Sequence, residues 1–145
     1  MSVLAVWCAR ANSERLPNKW AAGIPSVADH ILARLARARS VRKIVLAIPE
    51  GAAEVDLAAW TVKHGVSIVY GPENDVASRF AKAVDRHAES GDLIFRVMGD
   101  QPFLDWRAID FSASVMTANG WDFALPLTFD RDPVYGAGLS PWSMR

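Results

Sequence analysis

The sequence predicts an α/β fold: a three-layer, Rossmann-like domain with a mostly parallel sheet and helices on both faces. Three observations lead there. Short, continuous apolar runs recur along the chain, and such runs suit strands buried on both faces. Between them lie segments whose apolar residues fall at helical spacing. Residue types that start and stop helices and strands mark the changeovers.

Val3-Leu4-Ala5-Val6-Trp7-Cys8 is the first apolar run, and a polar loop from Ala9 to Lys19 follows it. Ser26 is placed to cap a helix with Val27, Ile31 and Leu35 at i, i+4 and i+8. Arg34, Arg37 and Arg39 put positive charge near its C-terminal end, where the helix dipole favours it. Lys43 to Ile48 reads as the second strand, stopped by Pro49. Ala52 to His64 reads as a helix with an apolar stripe of Val55, Ala59 and Val62 on one face and Gly65 as C-cap. Val66 to Tyr70 is the third strand. Asn74 or Asp75 caps a helix striped by Val76, Phe80 and Val84, and Gly91 ends it. Leu93 to Met98 is the fourth strand, ended by Gly99-Asp100. Asp105 to Asn119 forms another helix, and Phe123 to Leu127 a fifth strand. From Thr128 onward turn formers outweigh periodicity. The chain thus divides into a domain over residues 1–127 and an irregular tail over 128–145.

Composition narrows the function classes. A chain of 145 residues with 51% apolar residues fills one real core. Sixteen basic and 16 acidic residues give zero formal charge, so no whole-surface basic field exists for nucleic acid and any anion site is local. The one cysteine, Cys8, sits in an apolar run and reads as a small core residue in a reducing compartment. No stretch reaches the ~18 apolar residues that span a bilayer. Val3 to Cys8 is too short, and lacks the basic flank, for a secretory leader. The expectation is a cytoplasmic protein without a membrane partner. His30, His64 and His87 have no metal-ligand spacing and read as surface or packing residues. Neither G-x-S-x-G, H-E-x-x-H nor a Walker loop is present. The dispersed tryptophans suit core filling.

In open α/β sheets, ligands bind outside the carboxyl ends of the strands. Two loops at such ends carry the unusual residues. The first holds Arg10, Arg15 and Lys19, separated by small or polar residues (Ala11, Asn12, Ser13) that leave backbone N–H groups free to turn toward a ligand. Backbone donors with Arg and Lys are what a triphosphate needs. On spacing alone, the same loop also fits an ordinary solvated surface. The second is Arg96-Val97-Met98-Gly99-Asp100-Gln101-Pro102. Asp100, just past a buried strand and beside Gly99, is placed to hold Mg²⁺, which prefers one or two carboxylates plus phosphate oxygens. Taken alone, it equally fits an Asx-turn. Asp75 and Arg79, at i and i+4, are spaced to pair, and Asp75 is also a plain N-cap.

Three ordered segments together resemble the cytidylyltransferase family that makes CMP-activated sugars, over residues 3 to about 110. The family's first loop, A-R-x-x-S-x-R-L-P-x-K, is similar to Ala9-Arg10, Ser13, Arg15-Leu16-Pro17 and Lys19. Its G-x-x-x-D-V-x-x-R-[YF] resembles Gly71 to Val76 with Arg79-Phe80. Its R-x-T-G-D-x-P-x-x-D resembles Arg96 to Pro102 with Asp105. The resemblance implies a nucleotidyltransferase in which Arg10, Ser13, Arg15 and Lys19 hold the triphosphate of CTP. Ala9, Asp75, Arg79, Arg96 and Gly99 complete the nucleotide site, and Asp100 binds Mg²⁺. Arg10, Lys19 and Asp100 are then the catalytic set, and a sugar attacks the α-phosphate to release pyrophosphate. The chain departs from the pattern in two ways. Asn12 and Asn18 stand where glycine is common, a substitution softened by asparagine's tolerance of left-handed backbone angles. The chain is also shorter than the family's usual members, whose later part supplies much of the sugar pocket and a dimerisation arm. A second reading is therefore a shortened relative that binds nucleotide or serves in an assembly without catalysis. A homodimer or larger assembly stays open. A third, a nucleotide-sugar-dependent glycosyltransferase domain, ranks lower because the strand ends in a single Asp100 rather than an Asp-x-Asp pair.

Overall fold

A computed structural model describes residues 2–124 and 140–143. The described residues form a five-stranded sheet with the order β3-β2-β1-β4-β5. The strands are β1 (Val3–Cys8), β2 (Val41–Pro49), β3 (Ser67–Gly71), β4 (Leu93–Met98) and β5 (Ser140–Ser143). The first four run parallel, and β5 pairs antiparallel with β4 at the edge. The helices are α1 (Val27–Leu35), α2 (Val55–Lys63), α3 (Val76–His87) and α4 (Trp106–Asn119). Short 3₁₀ turns cover Lys19–Ala21 and Ala52–Glu54.

β1 is the centre because it is apolar at every position. All six of its residues are buried between β2 and β4, as a strand covered on both faces must be. Its alternate side chains feed two cores. Val3, Ala5 and Trp7 meet Ala28, Ile31 and Leu35 of α1, Leu57 of α2, and Ile109, Ala113 and Met116 of α4. Leu4, Val6 and Cys8 face the opposite side, where Phe80, Ala83 and Val84 of α3 pack. Three helices on one face and one on the other make the three layers expected from the sequence. No described helix is long and apolar enough to cross a membrane.

Local signals explain most boundaries. Ser26 and Asp29 form a reciprocal capping box at the start of α1. Asp75, not Asn74, caps α3 through the Ser78 N–H. Asp105 caps α4, and Gly120 ends it in the left-handed region at φ 65°. Gly65 takes φ 67° just past α2.

Three readings need correction. The inner face of α2 is Leu57 and Thr61, with Ala58 and Trp60 partly buried, while Val55, Ala59 and Val62 face outward. The helix carries two rival apolar stripes, and the one with leucine and tryptophan buries more apolar surface. On α3, Val76 is exposed and the buried stripe begins instead at Arg79. The fifth strand expected at Phe123 to Leu127 lies outside the described residues beyond Ala124, and the strand beside β4 is Ser140–Ser143. That segment lies in the stretch read as irregular tail, where turn formers outweigh periodicity, yet an edge position is where a sheet tolerates a proline such as Pro141.

Candidate functional site

The chain moves outward from β1 to β2 and β3, then crosses back to β4 on the other side of β1. The loops leaving β1 and β4 therefore diverge, which opens a crevice at the carboxyl ends of these two strands. Cys8 pairs with Met98 at the rim of the sheet. Beyond it Gly99 passes close to the segment that leaves β1: a Cβ there would lie 3.1 Å from the Cα and Cβ of Ala9 and from the Cys8 carbonyl. A bare α-carbon lets the two loops leave side by side.

The crevice is a cleft of about 360 Å³ lined by Ala9, Arg10, Arg15, Lys19, Glu73, Asn74, Val76, Arg79, Arg96 and Asp100, with Cys8, Met98 and Gly99 at its base. Five cationic side chains thus face two carboxylates, so the cleft favours an anion although the whole chain is neutral. Lys19 Nζ and Asp100 Oδ2 meet at 2.8 Å at the mouth, with the carboxylate nearly half exposed. These two residues are 81 positions apart, and only the switch point brings them together.

Eight of the ten residues expected from the sequence line this cleft: Ala9, Arg10, Arg15, Lys19, Arg79, Arg96, Gly99 and Asp100. Ser13 and Asp75 do not. Ser13 is buried, and its N–H bonds the Ala11 carbonyl within the loop. The Asp75 carboxylate accepts the Ser78 N–H at 2.8 Å and caps α3. It does not pair with Arg79, because that guanidinium turns back under the preceding loop. Arg79 Nη1 donates to the carbonyls of Pro72 and Glu73, the latter at 2.8 Å. Arg79 is 1% exposed, and its Nε has no partner among the described residues.

Cys8 lies beneath these cations. Burial pushes its thiol up, against the pull of Arg96 and Arg79, which disfavours the thiolate. Glu73, Asn74 and Met98 also line the cleft and were not singled out in the sequence. Glu54 was missed as well. It is 3% exposed, and both its oxygens accept the Ala11 N–H at 2.9 Å. Burial pushes its carboxyl up, against N–H groups of Ala11 and Asn12 and the more distant charge of Arg79. At the other end of the cation loop, Trp20 is buried within 6.4 Å of the Trp60 ring, and Trp60 stacks edge-on to Trp7 at 5.9 Å. The tryptophans here fill core, as expected.

A metal ion fits this donor set in one way. Among the described residues no group of three or more His, Cys, Asp or Glu stands together. Asp100 by itself, at the mouth of a cationic cleft, suits an ion that completes its shell with phosphate oxygens and water.

The profile of the cytidylyltransferase family matches residues 5–125. SpsF, a spore coat polysaccharide biosynthesis protein of Bacillus subtilis, is 28% identical over 127 residues, which are 83% of this chain and 52% of that protein. A cytidylyltransferase from Leptospira borgpetersenii shares the fold with a TM-score of 0.83 at 24% identity, over 98% of this chain and 60% of that one. A CMP:2-keto-3-deoxy-manno-octonic acid synthetase solved with CTP gives 0.66 at 20% identity, over 87% of this chain and 50% of that one. The chain spans about half the length of the curated relatives it matches. The family match runs from Ala5, within β1, past the end of α4 and takes in every residue that lines the cleft, so the chain belongs to the cytidylyltransferase family.

Proposed function

We propose that the cleft binds CTP with Mg²⁺ and transfers CMP to a sugar, releasing pyrophosphate. The observation that carries this reading is the gathering of five cations and one accessible aspartate where the chains from β1 and β4 part. A triphosphate needs its charge neutralised and its oxygens hydrogen-bonded, and few other ligands call for so many cations in one cleft. The family membership and the CTP held by a structural relative support the choice of nucleotide.

In this reading Arg10, Arg15 and Lys19 hold the phosphates from one side. Arg96 and the buried Arg79 keep the floor positive beneath them. Asp100 would hold the Mg²⁺, whose contribution is to neutralise charge that builds on the phosphates during transfer. A sugar hydroxyl attacks the α-phosphorus and gives up its proton to solvent; a new P–O bond forms, and the bond from the α-phosphorus to the oxygen that bridges it to the β-phosphate breaks, that oxygen leaving on pyrophosphate. Lys19 and Arg15 stay against the departing pyrophosphate. Such a reaction needs positioning and charge neutralisation more than covalent help.

Thermal-shift titration with CTP, CMP, UTP, GTP and ATP, with and without Mg²⁺, tests the site. CTP is expected to raise the melting temperature most, and more with Mg²⁺ than without. Asp100→Ala should lose the metal-dependent increment while keeping a weaker metal-free one. Pyrophosphate release across a panel of sugars then tests transfer. No shift with any nucleotide, or a preference for UDP- or GDP-sugars over CTP, would overturn the reading.

A further inference from the structure

Glu54 sits behind the cleft, in the 3₁₀ turn ahead of α2, and is not among the residues that line it. Its carboxylate is buried, and no described Lys, Arg or His lies within ion-pair distance of it. Arg79 and Glu73 are the charged groups that act on it through space, and the Arg79 guanidinium is committed to the carbonyls of Pro72 and Glu73. A buried carboxylate with no ionic partner is a costly way to fill space, and an apolar side chain would be cheaper. What this carboxylate does instead is receive one loop. Both oxygens take the Ala11 N–H at 2.9 Å, and the Asn12 N–H also reaches it.

Ala11 is the point on which that loop turns. Its carbonyl accepts the N–H of Ser13 at 3.1 Å and of Asn18 at 2.8 Å. With the N–H held by Glu54, both polar groups of this one peptide neighbourhood are fastened, and Arg10, Arg15 and Lys19 radiate from the fastened turn. We infer that Glu54 is a positioning residue that sets the conformation of the cation loop, and with it the affinity of the cleft for a nucleoside triphosphate. The ligand in this inference rests on the proposed function; the loop geometry does not.

Two variants separate the role from mere packing. Glu54→Gln keeps the shape and one acceptor oxygen but loses the charge and the second acceptor. Glu54→Leu removes the buried charge and every acceptor. Calorimetric titration with CTP and Mg²⁺ is expected to show affinity weakened roughly ten- to a hundredfold, the larger loss in the leucine variant. The ligand-free melting temperature should hold for glutamine and hold or rise for leucine. Trypsin, which cleaves after Arg10, Arg15 and Lys19, should cut this loop faster in both folded variants. A fall in melting temperature that accounts for the affinity loss, or wild-type cleavage rates in both variants, would overturn the inference. If the wild-type chain binds no nucleotide but the variants are cut faster within the loop, the positioning role stands and the nucleotide reading falls.

Discussion

Two residues show how tightly the cleft floor is built. Gly71 ends β3, and a Cβ there would lie 2.7 Å from Cγ of Arg79, inside any real contact distance. The Arg79 stem is buried, so it has little room to move aside. Gly71→Ala should therefore displace Arg79 and free the carbonyls of Pro72 and Glu73, at a cost of about 1–3 kcal/mol. Urea unfolding measures it, and a midpoint equal to the wild type would mean that the guanidinium relocates freely. Asn18 illustrates a milder constraint. It adopts φ 53° and ψ 29°, the left-handed region, and donates its N–H to Ala11. The family pattern that this loop resembles has glycine where Asn18 stands, and asparagine tolerates the left-handed angle that glycine would take there. Arg10, Lys19 and Asp100 were legible at this scale because their spacing follows a family pattern. Glu54 was not, because its partner is the backbone N–H of Ala11, 43 positions away, and a backbone donor leaves no mark on sequence.

At the scale of elements, α2 shows where periodicity falls short. The stripe Val55, Ala59, Val62 and the stripe Leu57, Thr61 both satisfy helical spacing, and only the second is buried. Leu57 is 0% exposed and packs in the core with Trp7, whereas Val62 is 71% exposed. Leu57→Ala should cost about 2–5 kcal/mol, while Val62→Ala should stay within about 0.5 kcal/mol. Thermal melts of the pair decide the matter, and equal losses would contradict the observed rotation of the helix. The strands were easier to read. β1 and β4 match the expected runs residue for residue: β1 is apolar and buried throughout, as a strand covered on both faces must be, and β4 is apolar but for Arg96, which faces the cleft. β5 was not read, because four residues containing a proline carry no period and its strand character comes from β4 alone.

Across the whole molecule, the two ends of the sheet have different jobs. The carboxyl ends of β1 and β4 carry the cleft, and the opposite end is clamped by a buried carboxylate. Asp92, just before β4, accepts from Ser2 Oγ at 2.6 Å, from the Glu89 N–H at 2.8 Å and from the Arg42 guanidinium. Burial alone would raise its pKa, but Arg42, Ser2 and the Glu89 N–H overcome that and pull it from 3.8 to about 2. A carboxylate depressed in the fold contributes stability that is complete above its unfolded value and disappears as pH falls through the folded one. Asp92→Asn should therefore destabilise the chain by about 2–3 kcal/mol at neutral pH, with the gap to wild type closing between pH 4 and 2. Denaturant unfolding across that range measures it, and a constant gap would mean that Asp92 acts through packing instead.

The sequence by itself determined the α/β class, the four parallel strands, the helix cap at Ser26, and the two loops that carry the cations and Asp100. These follow from local physics: apolar runs, helical spacing and capping chemistry act over a few residues. Only the tertiary structure decided which face of α2 is buried, which residue anchors the cation loop, and that Arg79 braces the Pro72–Glu73 turn rather than pairing with Asp75. Those choices depend on contacts between residues made neighbours by the reversal of strand order beside β1. Such contacts go largely to backbone carbonyls and N–H groups, which every residue offers alike.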